Sequence, residues 1–288
     1  MLRSPRCACP TDKRVLCMAA GQQGANWQLM SKPRPMPSRR AAMLLCPLLF
    51  VGGRERVAHG ALVDEDVATR VYESSFGSVV TIVNTRSDRT GRDVVSGVGS
   101  GVVWDAAGHV VTNYRCISKL DKDSDELRVV LSGSNGVPLA TYPARLLATD
   151  TLTDLAVLVV EAAAALQPAR MGTSADLVVG QSVFAIGSPA GLPRSLTAGV
   201  VSGVGRSIPS PVGTLIYGAI QTDASITVSS SGGPLLDSSA RVVGINSAAY
   251  TGTGSGRGSG INFALPIDLA MKVVPQLIVN GNAQGRRV

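Results

Sequence analysis

Between residues 78 and 264 the chain alternates short apolar runs, rich in Val, Ile and Leu, with clusters of Gly, Ser, Asp and Pro. Eleven runs stand out, at 78–84, 94–104, 109–113, 127–132, 144–148, 155–160, 182–186, 196–204, 219–223, 241–248 and 260–264. Runs of this length and spacing predict β-strands joined by tight turns, the pattern of a barrel or a sandwich. Ahead of them, 64–76 sets Val67, Val71, Tyr72 and Ser75 at helical spacing and predicts one short helix. Tyr72 and Phe76 share a face at i, i+4. Such a pair can serve as an oligomer contact, and packing on the chain's own core is its commoner fate.

Composition agrees with a β-rich domain: 32 of the 288 residues are glycine and aromatics make up only 4%. The formal charge of +7 and a pI near 9.5 invite a nucleic-acid reading. Residues 1–60, however, hold ten Lys and Arg against Asp12 and Glu55, which leaves −1 for everything that follows. No stripe of basic side chains interleaved with aromatics remains to track a phosphate backbone, so no nucleic-acid partner is expected. Four cysteines, Cys7, Cys9, Cys17 and Cys46, lie in the same stretch, in no paired metal-ligand spacing, and Cys116 alone lies beyond it.

Residues 1–37 are basic, almost free of acids and punctuated by Ser and Pro, as in an organellar transit segment. Arg39-Arg40 then precedes an apolar run, 41–53, with Ala58 and Gly60 at signal-peptidase spacing. About 20 residues are needed to span a bilayer, so this run is an address, not a transmembrane anchor. The expectation is a bipartite transit and twin-arginine leader over 1–60, removed on maturation, and a folded domain over 61–288. Two successive addresses point to the chloroplast and then the thylakoid lumen.

Three segments carry chemistry. Ser229-Ser230-Ser231-Gly232-Gly233-Pro234 can set a serine on a tight turn, its Oγ exposed and backbone N–H groups converging where an oxyanion would form. Taken alone, the run is equally compatible with a plain Ser/Gly loop. Asp154, at the mouth of the apolar run 155–160, is placed either to orient an imidazole or simply to make a turn. The third segment, His109-Val110-Val111-Thr112-Asn113-Tyr114, ends on Arg115.

In this order, Ser-Gly-Val-Val-Trp (100–104), His-Val-Val-Thr-Asn-Tyr (109–114), Asp-Leu-Ala-Val-Leu (154–158), Gln-Thr-Asp-Ala (221–224) and Ser-Gly-Gly-Pro-Leu-Leu-Asp (231–237) resemble the HtrA/Deg family of trypsin-like serine proteases. The likeness runs from about residue 64 to 280 and is greatest to plant and algal lumenal Deg proteases without a PDZ domain. It implies an all-β fold of two perpendicular six-stranded β-barrels with a short N-terminal helix. The first barrel would take in about 64–165 and the second about 166–280, with no PDZ domain. It further implies a serine endopeptidase acting on unfolded or damaged polypeptides, with no metal and no cofactor. Ser231 would be the nucleophile and Asp154 the orienter, and the backbone N–H groups of Ser231 and Ser229 would form the oxyanion hole. Regulatory loops would fall near 206–217 and 250–259, and a homotrimer or a mixed oligomer with Deg relatives would be expected.

The pattern breaks at three places around one site. The family has histidine where this chain has Arg115, a small aliphatic residue where it has Cys116, and glycine where it has Ser229. A guanidinium has no acceptor site and keeps its proton to about pH 12, so Arg115 cannot take a proton from a serine hydroxyl. The two histidines elsewhere, His59 and His109, lie too far along the chain to replace it. Loss of the base costs a serine protease on the order of 10⁶ in turnover, about 8 kcal/mol. The alternative to an endopeptidase is therefore a catalytically silent subunit that binds active Deg relatives or holds misfolded chains. Cys116, with no base beside it, is expected to be an inert thiol.

Overall fold

The computed structural model describes residues 64–75, 77–87, 93–118, 125–133, 137–161, 166–188, 194–247 and 260–281. The 1–60 leader, Phe76 and the expected loop at 250–259 lie outside them. The first element, α1 (Glu65–Ser74), starts at Asp64, whose carboxylate accepts the Asp66 N–H at 3.1 Å, with Glu65 and Asp66 at the positive end of the helix dipole. Its Val71 is fully buried, and Tyr72 packs on the same core, as its helical spacing predicts.

Six antiparallel strands close the first barrel in the order β1-β2-β3-β6-β5-β4: β1 (Val79–Ser87), β2 (Asp93–Val103), β3 (His109–Asn113), β4 (Asp125–Ser132), β5 (Pro138–Asp150) and β6 (Leu155–Val160). One helical turn, α2 (Tyr114–Ile117), follows β3 directly. The second barrel closes as β10-β11-β12-β9-β8-β7, from β7 (Ser182–Gly187), β8 (Ser195–Pro209), β9 (Leu215–Thr222), β10 (Pro234–Leu236), β11 (Val242–Ser247) and β12 (Asn262–Pro266). Closure leaves neither sheet with a free edge. The expected all-β architecture of two six-stranded barrels is the one observed.

Each barrel has its own core, built on Val129, Leu131 and Leu158 in the first and on Val183, Ile220 and Leu235 in the second. A third cluster joins the two, bringing Val102, Val111 and Leu155 against Phe184, Ile186 and Ile245. Asp154 and Ser231 lie at this seam. A helix absent from the sequence reading, α3 (Ile267–Asn280), leaves β12 and packs on β5, β6, β11 and β12, burying Ile267, Ala270, Val274 and Leu277. Among the described residues no helix is long and apolar enough to cross a membrane.

The stretch expected as a loop near 206–217 is mostly paired backbone. Ile208 faces Ile216 and Pro209 faces Leu215, with both isoleucines buried; the register slips between Arg206 and Ile208, and a turn joins the two strands. There the Ser210 N–H donates to the Thr214 carbonyl at 2.7 Å.

Candidate active site

Asp154 sits in the turn from β5 to β6 at φ 58°, a left-handed conformation that aspartate tolerates better than most residues. Its backbone carbonyl accepts from Tyr114 N–H at 3.0 Å and from Asn113 Nδ2 at 3.1 Å, which ties the turn to the end of β3. Its carboxylate then meets the first residues of α2. The Arg115 backbone N–H donates to Oδ1 at 3.1 Å, and Arg115 Nε donates to Oδ2 at 2.5 Å. The Asp154 side chain is wholly buried, whereas Arg115 keeps 26% of its side chain in solvent.

Burial pushes the Asp154 carboxyl above its usual range, and the charge and hydrogen bonds of Arg115 pull it back only in part. A guanidinium on this carboxylate occupies the place where an imidazole would be oriented. It can donate but cannot accept.

Ser231 follows a single 3₁₀ turn, Val228–Ser230, that leads into β10. Thr227 caps the turn reciprocally: its side chain accepts the Ser230 N–H, and Ser230 Oγ accepts the Thr227 N–H at 2.8 Å. This draws the Ser230 side chain away from Ser231. Ser231 is wholly buried, with its Oγ 3.5 Å from the Thr227 carbonyl. Its N–H donates to the Val228 carbonyl at 3.3 Å, so a donor expected to face a substrate oxyanion is turned onto the chain itself. Ser229, the other expected donor, lies within the turn and is not among the residues with positive φ.

The first barrel grips this loop at several points. Ser100 N–H donates to the Ser231 carbonyl at 3.0 Å, and Ser100 Oγ donates to the Ser229 carbonyl at 2.9 Å while accepting the Ser188 N–H at 2.9 Å. Gly232, at φ +85°, presses between Ser100 and Thr112, where a Cβ would collide with the Ser100 carbonyl and Thr112 Oγ1. The sequence offers Ser100 only as the first residue of Ser-Gly-Val-Val-Trp, with no role of its own; the glycine-rich run 97–101 around it hints at close packing. Thr227 could have been found from its Thr-x-x-Ser spacing, which is that of a capping box.

Cys116 lies beside the nucleophile position, its Sγ 3.5 Å from the Ser231 carbonyl. Desolvation pushes its thiol up to about 11, so it stays protonated at neutral pH, as the sequence predicts for an inert thiol. His109 begins β3 and pairs with Asp105 at 2.7 Å, apart from this cluster. Among the described residues no group of three or more His, Cys, Asp or Glu is placed to hold a metal ion.

The family model for the trypsin-like peptidase domain matches residues 99–245, from the Gly99 strand through β11. Protease Do-like 5, chloroplastic, of Arabidopsis thaliana is 46% identical over 220 residues, covering 75% of this chain and 66% of the relative. Protease Do-like 1, chloroplastic, of the same plant is 44% identical over 222 residues, 75% of this chain and 48% of the relative. The chain spans between about a third and two thirds of the length of the curated relatives it matches. A crystal structure of Deg5 superposes at a TM-score of 0.63 with 41% identity, over 76% of this chain and 98% of that one. Fold, motif order and likeness together make this chain a member of the trypsin-like peptidase family, among the Deg/HtrA proteases.

Proposed function

We propose that this chain is a catalytically silent Deg-type subunit: a protease fold that keeps Asp154 and the Ser231 loop but not the proton transfer between them. The observation that carries this reading is Arg115 Nε on Asp154 Oδ2 at 2.5 Å. The aspartate that would stabilise an imidazolium is committed to a fixed cation, and nothing at that position can receive the Ser231 proton. Its role is then to bind unfolded or damaged polypeptide, or active Deg relatives, in a homotrimer or a mixed oligomer. The chloroplastic names of the Arabidopsis relatives and the leader over 1–60 support a place in the chloroplast. The twin-arginine pair within that leader favours the thylakoid lumen.

A second reading, an active serine endopeptidase with Ser231 as nucleophile and Asp154 as orienter, is favoured by the survival of both residues in buried, well-held positions. Incubating the purified full chain with an unfolded protein substrate separates the two. The silent reading expects no turnover above that of a Ser231→Ala variant; turnover that Ser231→Ala abolishes sinks it. Reading the transcript codon for residue 115 is a cheaper check, since a histidine codon removes the observation on which the silent reading rests.

A further inference from the structure

We propose that Ser229 is a second lock on this site, independent of Arg115. It holds the Val228–Ser229 peptide so that the Val228 carbonyl takes the Ser231 N–H that a substrate oxyanion would need. The proposal deepens the reading of residues 115, 154 and 231 as a serine-peptidase site and rests on it.

The argument is one of backbone geometry. For Ser231 N–H to be released, the Val228 carbonyl that accepts it must swing away. Two routes exist: moving the whole 3₁₀ turn, or rotating the single peptide between Val228 and Ser229. The first is blocked from three directions. Ser100 Oγ holds the Ser229 carbonyl at 2.9 Å, the Thr227–Ser230 capping box closes the turn, and Ser230 Cβ packs against the bare Cα of Gly187.

The second route leaves those contacts intact but turns two torsions by about 180°, ψ of residue 228 and φ of residue 229. From the 3₁₀ value of about −60°, φ of Ser229 would arrive near +120°, a region that glycine enters freely and a side chain resists. Val228 offers no obstacle, since its side chain is 79% exposed and packs on little that a rotation would disturb. The barrier therefore resides in Ser229. A glycine there would let the peptide reverse, and the freed N–H groups of residues 229 and 231 would then face the same point.

This makes the Ser229 side chain a positioning group: it acts by fixing the direction of the backbone N–H groups and does not itself touch the reacting atoms. Restoring the base alone should accordingly restore little. Full-length Arg115→His, Ser229→Gly and the double variant are compared on an unfolded protein substrate, with thermal melting to show that each is folded. A hole donor is worth about 10²–10³ in kcat, so the double variant is expected to exceed Arg115→His by that factor in kcat with KM little changed.

A peptide boronic acid gives a second measurement that needs no turnover, because its tetrahedral adduct on Ser231 Oγ places an oxygen at the same point. It is expected to bind the double variant about 10²-fold more tightly than Arg115→His. Equal kcat and equal boronate affinity in Arg115→His and the double variant overturn the second lock. So does a folded double variant as inactive as Ser231→Ala. The silent-subunit reading fails separately, on Ser231-dependent turnover by the parent chain.

Discussion

Arg115 and Asp154 form a pair in which one partner is wholly buried and the other reaches solvent, and that asymmetry sets what the pair is worth. Removing one partner of a fully buried ion pair costs about 3–5 kcal/mol, because the remaining charge is stranded. With a quarter of the Arg115 side chain hydrated, Arg115→Met is expected to cost less, about 2–3 kcal/mol at neutral pH. The pH dependence has a definite sign. Burial already holds the Asp154 carboxyl above its usual range, and Arg115 is the group that pulls it down. In Arg115→Met the folded carboxyl therefore titrates higher still, and the folded state binds a proton more readily than the unfolded chain does. Stability then falls as pH rises through that elevated value and recovers below the ordinary carboxylate range. The gap in melting temperature between parent and variant should be wide at pH 7 and narrow at pH 4. A gap that is constant or widens on acidification would show that Asp154 is held by something other than Arg115.

At the level of single elements, what the sequence revealed depended on whether the determinant was local. The runs at 109–113 and 155–160 coincide residue for residue with β3 and β6, two deeply buried strands, of which β6 is apolar throughout and β3 is bounded by His109 and Asn113. The ends of β5 and β8 extend past their apolar centres, because their outer rungs are exposed and carry mixed side chains. The three-residue β10 was invisible as a strand, since its register comes from β7 and β11 on either side. Helix α3 was missed for two reasons: Pro275 lies within it, and its N-cap is Pro266, which offers no capping side chain. Its cap comes from elsewhere in the chain. Ser174 Oγ accepts the Asp268 N–H at 3.3 Å, and the Asp268 carboxylate accepts from Ser174 N–H at 3.0 Å, Ser174 Oγ at 2.8 Å and Thr173 Oγ1 at 3.1 Å. Desolvation alone would raise the Asp268 carboxyl, but these hydrogen bonds together outweigh it and hold it below its usual range. A depressed folded value means stability that is present above the ordinary carboxylate range and lost as pH falls through the depressed one. Asp268→Ala should thus cost about 1 kcal/mol or less at pH 7 in urea denaturation, solvent screening included, and progressively less under acid, as expected for loss of the carboxylate's hydrogen bonds to residues 173 and 174.

Across the whole molecule, the site exists only because the two barrels are pressed together, and this was the least legible feature of all. The chemistry of Arg115 could be judged from residue type, whereas the inward-turned Ser231 N–H depends on Ser100, well over a hundred residues away in sequence. Gly232 tests how much the seam contributes. It belongs to the second barrel, adopts φ +85°, and lies where a Cβ would strike Ser100 and Thr112 of the first. Gly213 has nearly the same backbone, φ +82°, at a hairpin tip with nothing within 4 Å of an added Cβ. Alanine at Gly213 should cost only the backbone strain, about 1–2 kcal/mol. At Gly232 the same strain is joined by overlap with a close-packed seam, so Gly232→Ala is expected to cost about 3 kcal/mol or more. Urea denaturation of the two variants measures the difference directly, and needs no activity. Equal costs would mean that the barrels separate slightly at little expense, and the grip of Ser100 on the 3₁₀ turn would then be too weak to hold the Ser231 N–H where it lies.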